Sequence, residues 1–418
     1  MGHLLYPSVI TPTQQFQLKE PPMRTDLDRS VRPPPNTPLL TPALRSLVPI
    51  GFILLFTYNA HSEIIHATSC SPAHIQAAVD SAATGDTVQL PPCIYSSWTT
   101  DTVSVSKAIT IAGAGSTQTI LKETRTNGIT AGTEPFFSVN CRGWTSGRFE
   151  FYGITLQGRG DEKTLDRGLS LRNACKDFLI HHSTFRNFGH AGIYIRDAEM
   201  NLTGRGVIYQ NNFIDNFRPR RGYGIEVIGD GNYAPSIRLG TENAVFIEDN
   251  YFEGNRHCVA SNNGSHYVFR YNTIVNNRED AAAIDAHGKT QSWPRGSRTY
   301  EIYHNRIDNS VMRWAGIGIR GGEGVIFNNT INGTSHPILL WNDSSLPSKE
   351  GCKTYPCPDQ ITDLYIWNNM ADGSPVGATI WVRGTPPGIL LEGRDYFHFP
   401  NPRYAPFTYP HPLRVESR

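Results

Sequence analysis

Val245-Phe-Ile-Glu-Asp-Asn-Tyr-Phe252, Tyr267-Val-Phe-Arg-Tyr-Asn-Thr-Ile274 and Tyr300-Glu-Ile-Tyr-His-Asn-Arg-Ile307 are three copies of one pattern. Each is a short apolar strand that runs into Asn, then one residue, then Ile or Phe. The same pattern ends the segments 149–156, 178–185, 206–213, 324–331 and 364–370, which places the Asn or its counterpart at 154, 183, 211, 250, 272, 305, 329 and 369. The shortest steps, 250 to 272 and 305 to 329, are 22 and 24 residues. Short strands at a period of roughly 20–30 residues predict a solenoid in which each copy is one rung. In such a coil the Asn is expected at a tight bend, in the left-handed conformation, bonded to the Asn of the next rung. Ordinary hairpins of a sandwich would not repeat the pattern in eight aligned copies.

A second strand recurs between the Asn strands, at Gly192–Arg196, Gly224–Val227, His257–Ser261, Ala283–His287, Gly316–Arg320, Pro337–Trp341 and Ala378–Val382. Side chains alternate along a strand. With the Ile and Val of this strand turned in, Tyr194, Glu226, Ala260, Asp285, Gly318 and Trp381 point out, and Arg196, Asn262, His287 and Arg320 follow two residues on.

Upstream, Ser71-Pro-Ala-His-Ile-Gln-Ala-Ala-Val79 reads as a short amphipathic helix with Ser at its start and Pro just inside. Gly85-Asp-Thr-Val-Gln-Leu-Pro91 follows as a turn and a strand. This opening resembles the amino-terminal cap of the pectate-lyase-like right-handed parallel β-helix superfamily, and the resemblance extends over most of residues 68–413. It implies an all-β, single-stranded right-handed parallel β-helix with a short capping helix. The carboxyl end, from Glu392 to Leu413, is rich in Pro and aromatics and is expected to leave the ladder and fold back over the last coil.

The 418 residues carry a net charge of +1, which excludes a nucleic-acid binder that works by phosphate neutralisation. Residues 1–45 are Pro-rich without apolar period and read as a disordered leader or a start assigned too early. Residues 46–62 hold the apolar run Leu47–Phe56 and a small-x-small site at Ala60-His61-Ser62, the arrangement of a signal peptide, with a membrane anchor through 46–58 as the alternative. Export to the periplasm, cell surface or medium permits disulfides. Cys70–Cys93, Cys141–Cys175 and Cys352–Cys357 are candidate pairs that would leave Cys258 over; sequence does not fix the connectivity, and buried free thiols are the alternative. Residues 63–413 are read as one β-helix domain and as a monomer.

The outward face of the second strand gathers Glu226, Asp285, His287, Arg320 and Arg196 on neighbouring rungs. Entering loops add Arg221, Tyr223, Arg256, His257 and Trp314; leaving loops add Trp293 and Arg298. A mixed acid, base and aromatic groove suits a polysaccharide or oligosaccharide, including an anionic one, because Arg pairs a carboxylate bidentately. The superfamily's lyases take the proton next to a uronate carboxylate, using Arg, Lys or His as base, often with Ca²⁺. The resemblance thus implies a polysaccharide lyase with His287 or Arg256 as base and His257 as the next candidate. Arg320 or Arg298 would neutralise the carboxylate. Asp285 would orient His287 or, with Glu226, bind a cation. The Arg-Pro-x-x-Arg pattern of pectate lyases is missing, and Gly189-His190-Ala191-Gly192 is only a loose echo of the polygalacturonase Gly-His-Gly. Two other readings stand beside the lyase: a glycoside hydrolase using Glu226 and Asp285, and a non-catalytic glycan-binding surface protein. Glu248 and Arg270, one rung apart, are expected to form a structural ion pair.

Overall fold

Successive coils repeat three strand segments, as in Val245–Glu248, Tyr251–Glu253 and His257–Asn262, followed by His266–Arg270, Thr273–Val275 and Ala282–Ala286. In this computed structural model the described residues are 62–415, apart from short segments at 99–101, 125–134, 161–165, 197–203, 220, 232–237, 279–280, 290–292, 347, 350 and 383. The leader and nearly all of the signal-peptide reading therefore fall outside the described residues.

Each segment pairs in parallel with its counterpart in the next coil. The first segments form one sheet and the second and third form another. The register stacks like on like. Ile208, Ile247, Phe269, Ile302 and Ile326 form one inward column. Phe185, Phe213, Phe252, Ile274 and Ile307 form a second. Ile193, Ile225, Val259, Ile284 and Ile317 form a third. All of these side chains are buried. Three apolar columns facing one another make a continuous core that no single coil could bury alone. The fold is the right-handed parallel β-helix.

The Asn positions are buried and linked. Nδ2 of Asn211, Asn250, Asn272, Asn305 and Asn329 donates to Oδ1 of the next Asn at 3.1, 3.1, 3.1, 3.0 and 2.9 Å. The same Oδ1 accepts the preceding Asn's backbone N–H, and Ser183 joins by donating its N–H to Asn211. The left-handed residue is not the Asn, as its tolerance of that conformation suggested, but the one before it: Gln210, Asp249, Tyr271, His304, Asn328 and Asn368 have φ of 50–56°. Turning that residue swings the Asn inward, where its amide replaces the ladder bonds broken at the bend. A second Asn ladder, unforeseen from sequence, joins Asn216 to Asn255 at 2.8 Å at the next corner.

The helix forms over Pro72–Ser81 with Ser71 as N-cap. Cys70–Cys93, Cys141–Cys175 and Cys352–Cys357 are disulfides, and Cys258 is a buried free thiol. No helix among the described residues is long and apolar enough to cross a membrane.

The carboxyl end differs from expectation. Tyr396–Phe397 does continue the ladder, pairing in parallel with Leu364–Tyr365. The chain then runs back across the outside of the first sheet, because that face is itself apolar: Leu179, Val207, Phe246, Val268 and Val325 are buried there. Glu248 and Arg270 form the expected ion pair at 2.7 Å, fully buried. Arg270 also donates to the carbonyls of Phe407 and Thr408, and Arg414 donates to Glu248 at 2.8 Å. The outward aromatics Tyr209, Tyr303 and Phe327 stand in this covered region, so they are scaffold.

Candidate functional site

The outward column of the third segment reads Tyr194, Glu226, Ala260, Asp285, Gly318 and Leu339 in register. Its next member is Thr379, which pairs with Leu339, rather than Trp381. Ala260 and Gly318 are small. They leave space on both sides of Asp285 into which longer side chains from neighbouring coils fold.

Those side chains close over Asp285 completely, so that its carboxylate has no exposure. Arg320 donates Nε to Oδ1 at 2.9 Å and Nη2 to Oδ2. His287 Nε2 lies 2.9 Å from Oδ2 and His257 Nε2 lies 3.2 Å from it. Burial by itself would raise the carboxyl pKa, but Arg320, His287 and His257 outweigh it and hold Asp285 well below the carboxylate range, ionised.

His257 sits on the strand at the level of Tyr223, which stacks on it with ring centroids 5.5 Å apart. Its Nδ1 lies 2.6 Å from the carbonyl oxygen of Ala282. A carbonyl only accepts, so Nδ1 carries the proton. Burial, reinforced by the charges of Arg256, His287 and Arg320, holds the His257 pKa well below its ordinary value against the pull of Asp285. Among the described residues its Nε2 has no hydrogen-bond partner.

Glu226 stands two coils from Asp285, roughly 10 Å at the spacing of parallel strands. Its partner is His190, Nε2 to Oε2 at 2.7 Å. Burial favours the neutral ring of His190. Burial would raise Glu226, but His190 and Arg167 outweigh it, and its pKa is lowered. Arg167 stacks on Tyr194 at 3.6 Å. Sequence reasoning passed over His190, Arg167 and Asp343. The signal for His190 was its place just ahead of an outward strand, equivalent to that of Arg256.

The structure thus unites Asp285, His287, His257 and Arg320, with Tyr223 and Glu226 beside them. It does not unite the rest. Arg320 is not offered to a ligand carboxylate, because Asp285 and, at 3.4 Å, Asp343 take its guanidinium. Arg298 forms an ion pair with Glu323 at 3.4 Å and stands just ahead of Thr299–Tyr303 in the first sheet. Trp314 packs against Trp341 and Trp381 at 5.6 and 6.5 Å; Trp341 in turn has Arg320 over its ring at 5.0 Å. Arg196 is exposed and lies over Trp293 at 5.5 Å. Arg221 is exposed, with its backbone bonded to Arg218. Ca²⁺ does not fit. It takes roughly six to eight oxygens, whereas Glu226 and Asp285 are two coils apart and each is already bonded to a histidine.

Residues 167–353 match the family described as "Right handed beta helix region". Among solved structures, Geobacillus virus E2 ORF18 matches at 15% identity and TM-score 0.38; it covers 68% of this chain, which spans 58% of that one. Alginate lyase from Paenibacillus sp. str. FPU-7 matches at 16% identity and TM-score 0.41, over 67% of this chain and 98% of that one. The A-module of Azotobacter vinelandii mannuronan C-5 epimerase AlgE6 matches at 17% identity and TM-score 0.49, over 79% and 92%. No curated protein matches the sequence. No activity passes from these likenesses to this chain. By its strand register, with the family match over residues 167–353 beside it, the chain has the right-handed parallel β-helix fold.

Proposed function

We propose that this is an exported, polysaccharide-active enzyme that cleaves a uronate-containing glycan by β-elimination on the outer face around Asp285. The observation that carries the reading is the pair Asp285–His287. Of His190, His257 and His287, the three imidazoles that bond or touch Glu226 and Asp285, His287 is the one that solvent reaches, at 17% side-chain exposure against 1% for His257 and 5% for His190. The ionised Asp285 accepts from His287 Nε2, which leaves the lone pair on Nδ1. A ring held in this way is a base for the proton at C5 of a uronate. That proton passes to Nδ1 as the C4–C5 double bond forms and the C4–O bond breaks; the departing oxygen takes a proton from solvent. Arg256, whose charge reaches both Tyr223 and His257, is the cation for the uronate carboxylate in place of Arg320.

The hydrolase reading is the weaker one. It needs a protonated carboxyl and a second carboxylate that reaches substrate or its water. Both Glu226 and Asp285 are held ionised, and Asp285 is covered.

The test is ultraviolet absorbance of unsaturated uronate products with a panel of uronic-acid polymers. Turnover on one polymer, lost by about 100-fold or more in His287→Gln, supports the reading. Reducing ends released without unsaturation would replace it with hydrolysis, and glycan bound without turnover would replace it with a binding protein.

A further inference from the structure

His257 presents a conflict that hydrogen bonds within the chain do not resolve. Both ring nitrogens face acceptors: Nδ1 the Ala282 carbonyl at 2.6 Å, and Nε2 the Asp285 Oδ2 at 3.2 Å. Nδ1 is bonded to Ala282, whereas Nε2, aimed at a carboxylate oxygen inside a site where His257 is 1% and Asp285 0% exposed, makes no hydrogen bond among the described residues. Oδ2 is also oversubscribed. Arg320 Nη2, His287 Nε2 and His257 Nε2 all approach an oxygen that has two lone pairs, and His257 is the neighbour that fails as a donor.

A bound cation removes the conflict. We propose that His257 Nε2, His287 Nε2 and Asp285 Oδ2 form a site for one divalent transition-metal ion of the Zn²⁺ or Co²⁺ type. These three atoms lie within 4.8 Å of one another. Donors about 2.0–2.2 Å from a tetrahedral ion stand roughly 3.3–3.5 Å apart; the observed 2.9 and 3.2 Å need to open by only a few tenths of an ångström. Two imidazoles and one carboxylate select Zn²⁺ or Co²⁺ over Ca²⁺ or Mg²⁺, which prefer oxygen. The outer shell is that of a metal histidine. Ala282 holds His257 by its far nitrogen, and Arg320 with Asp343 holds the carboxylate. The exposed edge of His287 leaves the remaining coordination position towards solvent. Arg256 and Arg320 oppose a further positive charge and keep the affinity moderate.

This inference rests on the same face as the proposed reaction and predicts how it is regulated. An ion on His287 Nε2 places the ring proton on Nδ1 and removes the base, so Zn²⁺ occupancy suppresses β-elimination.

The test is titration calorimetry of the chelator-stripped full chain with Zn²⁺, Co²⁺ and Ca²⁺, with the visible spectrum of the Co²⁺ form as a second readout. The expected result is one Zn²⁺ per chain and weaker or no Ca²⁺ binding. Zn²⁺ affinity should fall in His257→Ala and His287→Ala by more than the roughly 10–100-fold that loss of an outer-shell partner costs. His287→Ala removes a partly exposed side chain and keeps the test valid where His257→Ala does not fold. Cys258→Ser, which removes the buried thiol, and His182→Ala, which breaks the His181–His182 pair (Nδ1 to Nδ1, 2.7 Å), leave the binding unchanged. No Zn²⁺ binding, or binding that survives His287→Ala but not His182→Ala, overturns the site and leaves the lyase reading standing. Binding at this site that raises turnover supports the site and overturns His287 as the base.

Discussion

Arg320 clasps both carboxylate oxygens of Asp285 from one coil away, with Nε at 2.9 Å from Oδ1 and Nη2 on Oδ2. Read along the strand, Arg320 stands in the outward row and looks available to substrate. In the coil it is the counter-charge that makes a fully buried Asp285 tolerable.

Arg320→Ala is therefore expected to cost stability before anything else. Removing one partner of a buried pair strands the other, at about 3–5 kcal/mol. Arg320→Lys should recover only part of this, because an ammonium cannot match both oxygens. Urea unfolding of the two variants measures it; midpoints equal to that of the parent would contradict the buried clasp.

The Asn ladder predicts a graded series. Asn272→Ala removes a donor to Asn305 and to the carbonyls of Ile247 and Arg270, and it leaves Asn250 without its acceptor. Unsatisfied buried groups cost about 1–3 kcal/mol each, so a loss of roughly 2 kcal/mol or more is expected. Asn369→Ala, at the ladder's end, should cost less. The ordering of denaturation midpoints checks this.

The tail should behave as a structural cover. Deleting residues 402–418 uncovers Phe246, Val268 and Val325 and takes the Phe407 and Thr408 carbonyls from Arg270. The truncated chain is expected to bind a hydrophobic dye and to melt at lower temperature. Unchanged melting with no dye binding would mean that the cover is dispensable.

Acid should loosen that cover through His411. Burial, with Arg270, Arg205 and Arg414 around it and Asp177 opposing, lowers its pKa to about 4. Since the unfolded value is about 6.5, protonation favours the detached tail. His411's contribution is complete above pH about 6.5 and is lost as pH falls towards 4. The protection of amides in residues 404–414, taken relative to the intrinsic exchange rate at each pH, should fall over that range, and His411→Gln should flatten the dependence.

The coil was legible in the sequence because its causes are local and repeated. An apolar strand ending in Asn250, Asn272 or Asn305 recurs in register, and each copy needs the next to bury its inward side chains. The bend was read one residue off, since nothing in a sequence says whether Asn272 or Tyr271 takes the left-handed turn when the Asn amide can serve either way. Asp285 and His287 were legible as candidates because the alternation of a strand assigns them to one face; His257 was read as part of the loop that enters it.

What the sequence by itself determined was the repeat, the outward column and hence the address of the candidate site. The tertiary structure decided which groups on that column answer to one another. Arg320 and Arg298 look alike along the chain, yet one closes on Asp285 and the other on Glu323. The same stacking brings His257 against the carbonyl of Ala282, from a strand 25 residues away. Such pairings depend on register between coils joined by loops of unequal length, and a contact set by register is not written in either strand alone.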